Sequence, residues 1–217
     1  MFRDRADAGR RLAARLMNYK DAHPVVLALP RGGVPVGLEI ALALDAPLDV
    51  ILVRKIGAPD FEELAIGALA EGEPAVTVLE NDTISHFGVS PDYLDREIKR
   101  QGDEIQRRQR LYRKNRGMVD LRASTAIVVD DGIATGATMR AALRAVRQRA
   151  PAKVVMAVPV APAESLESLR PEADEIICLA TPDPFDAISL FYAEFRQLRD
   201  DEVIALLSRA PRQRPRS

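Results

Sequence analysis

The sequence predicts an α/β fold, with a Rossmann-like parallel sheet of about five strands and helices on both faces. Its 217 residues include 47% hydrophobic residues, which is enough for one domain with a full core. Five short apolar runs lack the polar alternation of a half-exposed strand: 25–29, 50–53, 126–129, 154–158 and 176–180. Helical periodicity fills most of the intervals between these runs, as a sheet covered on both faces requires.

A single domain is expected over residues 1–208. An amphipathic pattern over 3–19 predicts an N-terminal helix that covers one edge or face of the sheet. A long polar helix is predicted from 91 to 116, inside an insertion at about 82–122. The Pro- and Arg-rich residues 209–217 are predicted to form a disordered tail.

The amino-acid composition disfavours a nucleic-acid-binding protein, a disulfide-linked protein and a membrane protein. The net charge of -1 and the pI of about 6.2 give no general basic field, which disfavours a nucleic-acid partner. Cys178 is the sole cysteine, so an internal disulfide is excluded, and its apolar neighbours predict a packing role. No apolar stretch approaches the ~18 residues of a membrane span, and the charged N-terminus does not resemble a signal peptide. A cytoplasmic protein is expected, without contact to a membrane.

The stretch from 125 to 149 combines an apolar strand, an acidic pair, a Gly- and Thr-rich loop and a helix. Backbone N–H groups and the positive end of a helix dipole point at one spot in such a loop, which favours phosphate. Asp130 and Asp131 would repel a phosphate unless they hold something else. Ribose hydroxyls or a divalent cation are suitable occupants, so one ligand with a phosphate and a ribose diol fits the whole loop.

Two further segments place cations next to strand ends. Pro30-Arg31-Gly32-Gly33 follows the first apolar run and can offer a guanidinium and bare N–H groups to a second anion. Arg54 and Lys55 follow the run 50–53. Because the carboxyl ends of parallel strands share one edge, these cations are expected on the same rim as Asp130.

The loop after 126–129 resembles the phosphoribosyl pyrophosphate (PRPP) signature of the type I phosphoribosyltransferases. The segments LPRGG, VRKIGAP and VDDGIATGAT are similar to a group of bacterial proteins of this family whose acceptor is unassigned, and the likeness covers about 20–205. No G-x-x-x-x-G-K-[ST] run is present, so a Walker-type nucleotide site is not supported.

The resemblance implies transfer of a 5-phosphoribosyl group from PRPP to a nitrogenous base or similar acceptor, with Mg²⁺ and release of pyrophosphate. The implied catalytic residues are Asp130, Asp131, Arg54 and Lys55. The implied 5′-phosphate loop is Gly132, Ile133, Ala134, Thr135, Gly136, Ala137 and Thr138. The implied pyrophosphate site is Arg31, Gly32, Gly33, Arg54 and Lys55. The metal would meet Asp130 and Asp131 through PRPP, and a homodimer is expected.

A variable hood of the family corresponds to about 181–200 here. Its rings Phe185, Phe191 and Tyr192 could stack on a planar acceptor, or they could pack the C-terminal segment onto the core. Ala134 stands where enzymes for 6-oxopurines commonly carry an acid. This departure disfavours hypoxanthine and guanine as acceptors.

Two choices remain open at this point. The segment 91–116 carries nine basic and five acidic residues, so it could close over a polyphosphate or pack against a partner subunit. The main alternative function is a regulatory protein that senses PRPP without turnover, and a third is a domain that works only within a larger assembly. The near-zero net charge and the lack of a second domain favour the enzyme.

Overall fold

A computed structural model describes residues 1–59, 61–114 and 117–211, apart from the side chains of Glu62 and Glu63. The strands in these residues are β1 (Pro24–Ala28), β2 (Leu48–Val50), β3 (Val53–Ala58), β4 (Phe61–Ala70), β5 (Val76–Leu79), β6 (Thr125–Val129), β7 (Lys153–Val160) and β8 (Glu175–Ala180). The helices are α1 (Arg5–Leu16), α2 (Gly33–Leu44), α3 (Asn81–His86), α4 (Pro91–Arg113), α5 (Ala137–Gln148), α6 (Ala163–Leu169) and α7 (Asp200–Arg209).

The central sheet has five parallel strands in the order β2-β1-β6-β7-β8. On one face, side chains such as Val26 and Ile127 pack in the core that includes α1, α2 and α7. On the other face, Val25 and Ala126 pack with α5 and with β4 and β5. Both faces are covered, which is why these strands are continuously apolar. The predicted fold class is confirmed.

A second sheet, which the sequence analysis did not predict, consists of antiparallel strands in the order β3-β4-β5. It lies between α5 and α4, since β4 contacts both helices. Small residues along β4 allow this close packing. A Cβ on Gly67 would lie 2.5 Å from the carbonyl oxygen of Val78 on β5.

The strand predicted over 50–53 is wrong in its bounds. Its apolar run divides between the two sheets because the hydrogen-bond partners change within it. Ile51 N–H still donates to Ala28 at 3.0 Å, but Leu52 N–H donates to the Glu71 carboxylate at 3.0 Å. Arg54 and Lys55 therefore lie inside β3, and not at the carboxyl end of a central strand.

Helix α4 corresponds to the predicted polar helix, of which residues 115 and 116 lie outside the described residues. Ser90 caps its N-terminus, accepting from Tyr93 N–H at 3.3 Å, and Pro91 occupies the first turn. The helix packs on β3 and β4 with Ile105 and Tyr112 buried. Tyr112 also donates to the carboxylate of Asp200, at the start of α7, at 2.6 Å.

The segment after β8 wraps against the N-terminus of the chain. Its one regular piece before α7 is a 3-10 turn over Ile188–Phe191. Phe2 N–H donates to Phe191 at 2.8 Å, and Ala193 N–H donates to Phe2 at 2.9 Å. Of the tail predicted over 209–217, residues 212–217 lie outside the described residues.

Candidate functional site

The strand order creates a crevice between β1 and β6. From β1 the chain moves outward to β2, whereas β6 lies on the other side of β1. The loops that follow β1 and β6 therefore diverge, and this is the place where open parallel sheets bind ligands. Both loops lead into helices, α2 and α5, whose positive N-terminal ends face the same rim.

The loop after β1 approaches the loop after β6 as closely as glycine allows. A Cβ on Gly32 would lie 2.1 Å from a carboxylate oxygen of Asp131. A Cβ on Gly33 would lie 2.7 Å from Val129 O and 2.9 Å from the Cα of Asp130. The peptide bond between Pro30 and Arg31 is cis, and the Arg31 side chain is partly exposed. The structure thus brings Arg31, Gly32 and Gly33 together with the acidic pair.

The loop after β6 is fixed at several points. Asp131 N–H donates to the Asp130 carboxylate at 2.8 Å, and Ile133 N–H donates to Val160 at 2.9 Å. Gly136 has a φ of +85°, a backbone conformation that favours glycine, and it begins α5. Ala134 and Thr135 are exposed at the tip of the loop, and Thr138 is partly buried.

The neighbouring carboxyl groups of Asp130 and Asp131 are both shielded from solvent. Burial raises the pKa of Asp130 well above its usual range, and the adjacent carboxylate of Asp131 raises it further. Burial also raises the pKa of Asp131, while the nearby Arg5 guanidinium opposes that rise. The pair resists carrying two negative charges, so hydroxyl donors or a cation from a ligand would relieve it.

Arg5, on α1, is a site residue that the sequence analysis missed. Its Nε donates to the Asp131 carboxylate at 2.7 Å, and both side chains are nearly buried, 11% and 12% exposed. Its Nη1 donates to Arg196 O at 2.9 Å, and its guanidinium lies 3.8 Å from the centre of the Phe195 ring. No sequence signal separates Arg5 from the other arginines near the N-terminus.

The predicted acceptor-binding rings have different surroundings. Phe185 and Phe191 are partly buried and stacked on each other, 5.3 Å apart at an interplanar angle of 25°. Tyr192 is buried, packs on Phe2 and donates its hydroxyl to Asp131 O at 2.5 Å. This bond lets Tyr192 support the loop after β6 from behind, a packing role that was one of the two alternatives.

Arg54 and Lys55 are separated from each other by the alternation of β3. Lys55 is exposed. Arg54 is partly buried and donates its Nε to Gln101 on α4 at 2.9 Å. Burial raises the pKa of Tyr112 on α4, and its hydrogen bond to Asp200 raises it further. The positive charges of Arg108 and Arg31 oppose that rise.

The described chain holds neither a preformed metal cluster nor a membrane-spanning helix. Within 1–59, 61–114 and 117–211, no three His, Cys, Asp or Glu side chains assemble into a metal site. Asp130 and Asp131 supply two carboxylates, so they fit a hard cation whose remaining ligands come from a bound phosphate compound. In the same described ranges, no helix combines the length and apolarity required to cross a bilayer.

Similarity to known sequences agrees with this geometry. A family profile described as "Phosphoribosyl transferase domain" matches residues 3–190. Two Mycobacterium tuberculosis proteins, MT0597 and Rv0571c, are each 46% identical to this chain over 212 residues, and their names assign them provisionally to the phosphoribosyl transferases. The match covers 98% of this chain and 47% of each relative, so the chain spans about half the length of the curated relatives it matches.

Two solved structures with the same fold differ in how similar their sequences are to this chain. The protein TT1426 from Thermus thermophilus is 43% identical, with a TM-score of 0.80 and coverage of 95% of this chain and 97% of that chain. A hypothetical protein from Neisseria gonorrhoeae, solved with bound ppGpp, is 16% identical, with a TM-score of 0.51 and coverage of 96% and 97%. The second likeness concerns the fold alone.

Proposed function

Because the chain belongs to the phosphoribosyl transferase domain family, we propose that its crevice binds PRPP with Mg²⁺ and transfers the 5-phosphoribosyl group to a nitrogenous base or similar acceptor. The carrying observation is the contact across the crevice between Gly32 and the carboxylate of Asp131. This close approach puts a loop suited to anions next to the acidic pair. PRPP carries both phosphate groups and a ribose diol, so its binding requires the two features side by side.

In this proposal, the loop after β6 holds the phosphoribosyl half. Asp130 and Asp131 accept hydrogen bonds from the two ribose hydroxyls. The backbone of 132–138 and the N-terminus of α5 bind the 5′-phosphate, with Thr135 and Thr138 as additional donors. Arg5 already engages one oxygen of Asp131 and so holds this carboxylate in place.

The pyrophosphate half lies toward the loop after β1. Arg31 and the backbone at Gly32 and Gly33 are its proposed partners, with Arg54 and Lys55 as further cations. The N–H of Gly33 donates to Leu29 O at 3.0 Å, so Gly33 contributes a close approach of the backbone and not a free donor. As the bond between the ribose C1 and the pyrophosphate oxygen breaks, negative charge develops on that oxygen. Fixed positive charge on this side of the crevice stabilises it.

Asp130 and Asp131 also fit the expected metal, because two carboxylates without a third protein ligand among the described residues suit a cation that is shared with PRPP. When bound, Mg²⁺ neutralises part of the pyrophosphate charge. The protein's own contribution is to bind and orient PRPP and to keep water from the reacting carbon.

The acceptor nitrogen forms the new bond to the ribose C1 while pyrophosphate departs, and it then loses its proton. No covalent nucleophile of the protein is needed. The stacked pair of Phe185 and Phe191 is the proposed aromatic surface for a planar acceptor. Ala134 offers no acid to the acceptor, which continues to disfavour 6-oxopurines.

Titration calorimetry of PRPP with Mg²⁺ tests the proposal. Asp130→Asn/Asp131→Asn should weaken PRPP binding at least about tenfold. An uncharged amide accepts hydrogen bonds from ribose hydroxyls more weakly than a carboxylate does, and its NH₂ group replaces one acceptor oxygen with a donor. Asp21→Asn/Asp201→Asn is the matched control, since both of these carboxylates are exposed. Equal PRPP binding by wild type and by the crevice variant, or no binding by folded wild type, would contradict the proposal.

Pyrophosphate release then separates the enzyme from the alternative, a protein that senses PRPP without turnover. The transferase releases pyrophosphate when PRPP is mixed with the correct base from a panel of purines, pyrimidines and related heterocycles. A sensor binds PRPP with the same dependence on Asp130 and Asp131 and releases none with any of them.

A further inference from the structure

Helix α6 contacts the tip of the loop after β6 at two points. The hydroxyl of Ser165 donates to Ala134 O at 2.5 Å. Leu169 is completely buried, and a Cβ on Gly136 would lie only 3.2 Å from its side chain. These two contacts flank Thr135, which is exposed. Helix α6 therefore lies against one side of the loop tip and supports it.

Helix α6 is in turn bonded to α5, the helix that the loop leads into. Arg140, in the first turn of α5, donates its Nη2 to the hydroxyl of Ser168 at 3.2 Å and pairs through Nη1 with Glu80 at 3.1 Å. Ser168 donates to Ser165 O at 2.9 Å. The side chain of Arg140 is only 20% exposed. This chain of bonds holds Ser165 in a defined position relative to the start of α5.

The contact with Ser165 fixes the direction of one backbone N–H group. The carbonyl of Ala134 and the N–H of Thr135 belong to the same peptide group, and they point in opposite directions because this peptide bond is trans. Ala134 O points at Ser165, so the N–H of Thr135 points away from α6. Among the described residues, this N–H meets no backbone acceptor, which leaves it available to a ligand.

Two earlier N–H groups of the same loop are already used within the protein. Asp131 N–H donates to the Asp130 carboxylate, and Ile133 N–H donates to Val160 O. Neither can serve a ligand without breaking its present bond. A phosphate at this loop therefore depends on donors closer to the start of α5, and the N–H of Thr135 is the one that Ser165 orients.

We propose that Ser165 is a positioning residue for the 5′-phosphate of PRPP, because it directs the N–H of Thr135 toward that phosphate. The inference rests on the proposed function and deepens it, since Ser165 lies outside the loop and acts through the backbone of Ala134. An N–H that already points at the phosphate binds it more tightly than one that must first be ordered. Ser165 thus contributes to affinity for the 5′-phosphate and not for the pyrophosphate half.

Titration calorimetry with PRPP and Mg²⁺ compares wild type with Ser165→Ala. PRPP affinity should fall about three- to tenfold, because the peptide group between Ala134 and Thr135 is no longer held. Alanine is a better helix former than serine, so α6 should remain folded. Ser165→Thr retains a hydroxyl and should keep PRPP affinity within about twofold of wild type.

Two controls separate this role from general damage. Ser208, an exposed serine on α7, donates its hydroxyl to Ala205 O at 2.7 Å within its own helix, so Ser208→Ala should bind PRPP as wild type does. Inorganic pyrophosphate has no 5′-phosphate, and its affinity should be equal in wild type and Ser165→Ala. Wild-type PRPP affinity in Ser165→Ala, or an equal loss for PRPP and pyrophosphate, would overturn the proposal.

Nuclear magnetic resonance with ribose 5-phosphate observes the N–H itself. In wild type, ribose 5-phosphate should move the amide proton of Thr135 to a higher chemical shift, because the N–H gains a charged acceptor. Ser165→Ala should show a smaller change. A Thr135 amide that does not respond in wild type would refute the positioning role.

This readout is independent of PRPP, since ribose 5-phosphate carries no pyrophosphate and undergoes no transfer. A chain that shows the Thr135 response but does not bind PRPP would refute the proposed function and support the role of Ser165. A chain that binds PRPP equally well with Ser165→Ala would refute the role of Ser165 and leave the proposed function intact.

Discussion

The two sheets of this protein differ in the polarity of their contacts. The central sheet is assembled from apolar side chains that are buried on both faces of β1 and β6. The second sheet and α4 share an apolar core that includes Ile56 and Ile105, and buried charges lie beside it: Arg113 bonds both Glu71 and Asp49. The two partners of the shorter of these ion pairs, Arg113 and Glu71, have side chains 7% and 0% exposed.

This difference is visible in the residues that each region orders. In the crevice, the two loops consist of backbone and glycines next to strand ends, and Arg5 on α1 joins them from 126 positions away. Between β3 and α4, Arg54 is oriented by Gln101, which lies 47 positions away on α4. The crevice tolerates little change in backbone shape, whereas the contact between β3 and α4 depends on pairs of distant polar side chains.

Breaking the buried ion pair should have the largest effect on stability. Arg113→Met leaves the buried carboxylate of Glu71 without its counter-charge, although Leu52 N–H and Gln109 still donate to it, and this costs roughly 3–5 kcal/mol of unfolding free energy. Urea denaturation followed by circular dichroism measures this loss. Arg110→Met, on the exposed side of the same helix, is the control and should change stability by less than about 0.5 kcal/mol.

The double variant Arg113→Met/Glu71→Leu sharpens that test. It removes both charges, while Asp49 retains the N–H donors of Val50 and Val119. It should be clearly more stable than Arg113→Met alone. A single variant as stable as wild type would show that the second sheet does not depend on buried charge.

Arg5→Gln should have an intermediate effect. Loss of the guanidinium leaves Asp131 without its counter-charge and removes the contacts to Arg196 and Phe195. We expect roughly 2 kcal/mol of lost stability, less than for a fully buried pair because both side chains are slightly exposed. Thermal unfolding with Arg3→Gln as control measures it, since Arg3 forms only a surface pair with Asp4. Equal stability of the two variants would mean that α1 does not contribute to the crevice.

Gly32→Ala should disturb the crevice directly. Its backbone conformation suits alanine, so the damage comes from the new Cβ, which would lie 2.1 Å from a carboxylate oxygen of Asp131. Asp131 must then move, which strains its hydrogen bond to Arg5. PRPP affinity should fall at least about tenfold, or about 1.4 kcal/mol, and the melting temperature should fall as well. Calorimetry measures the affinity, and differential scanning calorimetry measures the melting temperature.

Helix α4, which packs on the second sheet, contains a glycine that serves as the control for Gly32→Ala. A Cβ on Gly102, inside α4, would meet only Leu69 at 3.9 Å. Gly102→Ala should stabilise the helix by up to about 1 kcal/mol without affecting PRPP. A similar loss of PRPP affinity in both alanine variants would remove the distinction between the two regions.

Most of the central sheet could be predicted from the sequence. The runs 25–29, 126–129, 154–158 and 176–180 correspond to β1, β6, β7 and β8. The run 50–53 could not be divided correctly, because Leu52 leaves the parallel ladder only when Glu71 takes its N–H. The second sheet escaped prediction because four of the ten residues of β4 are alanine or glycine, which give a weak strand pattern.

Sequence alone determined the apolar strands and the two glycine-containing loops, including the acidic pair at 130 and 131. These features follow local rules: a strand buried on both faces must be apolar, and a tight loop between a strand and a helix favours glycine. Tertiary structure alone decided that Arg5 meets Asp131, 126 positions away, and that Arg54 donates to Gln101 on α4. An arginine can pair with any acid it reaches, so its partner is fixed only when the elements pack.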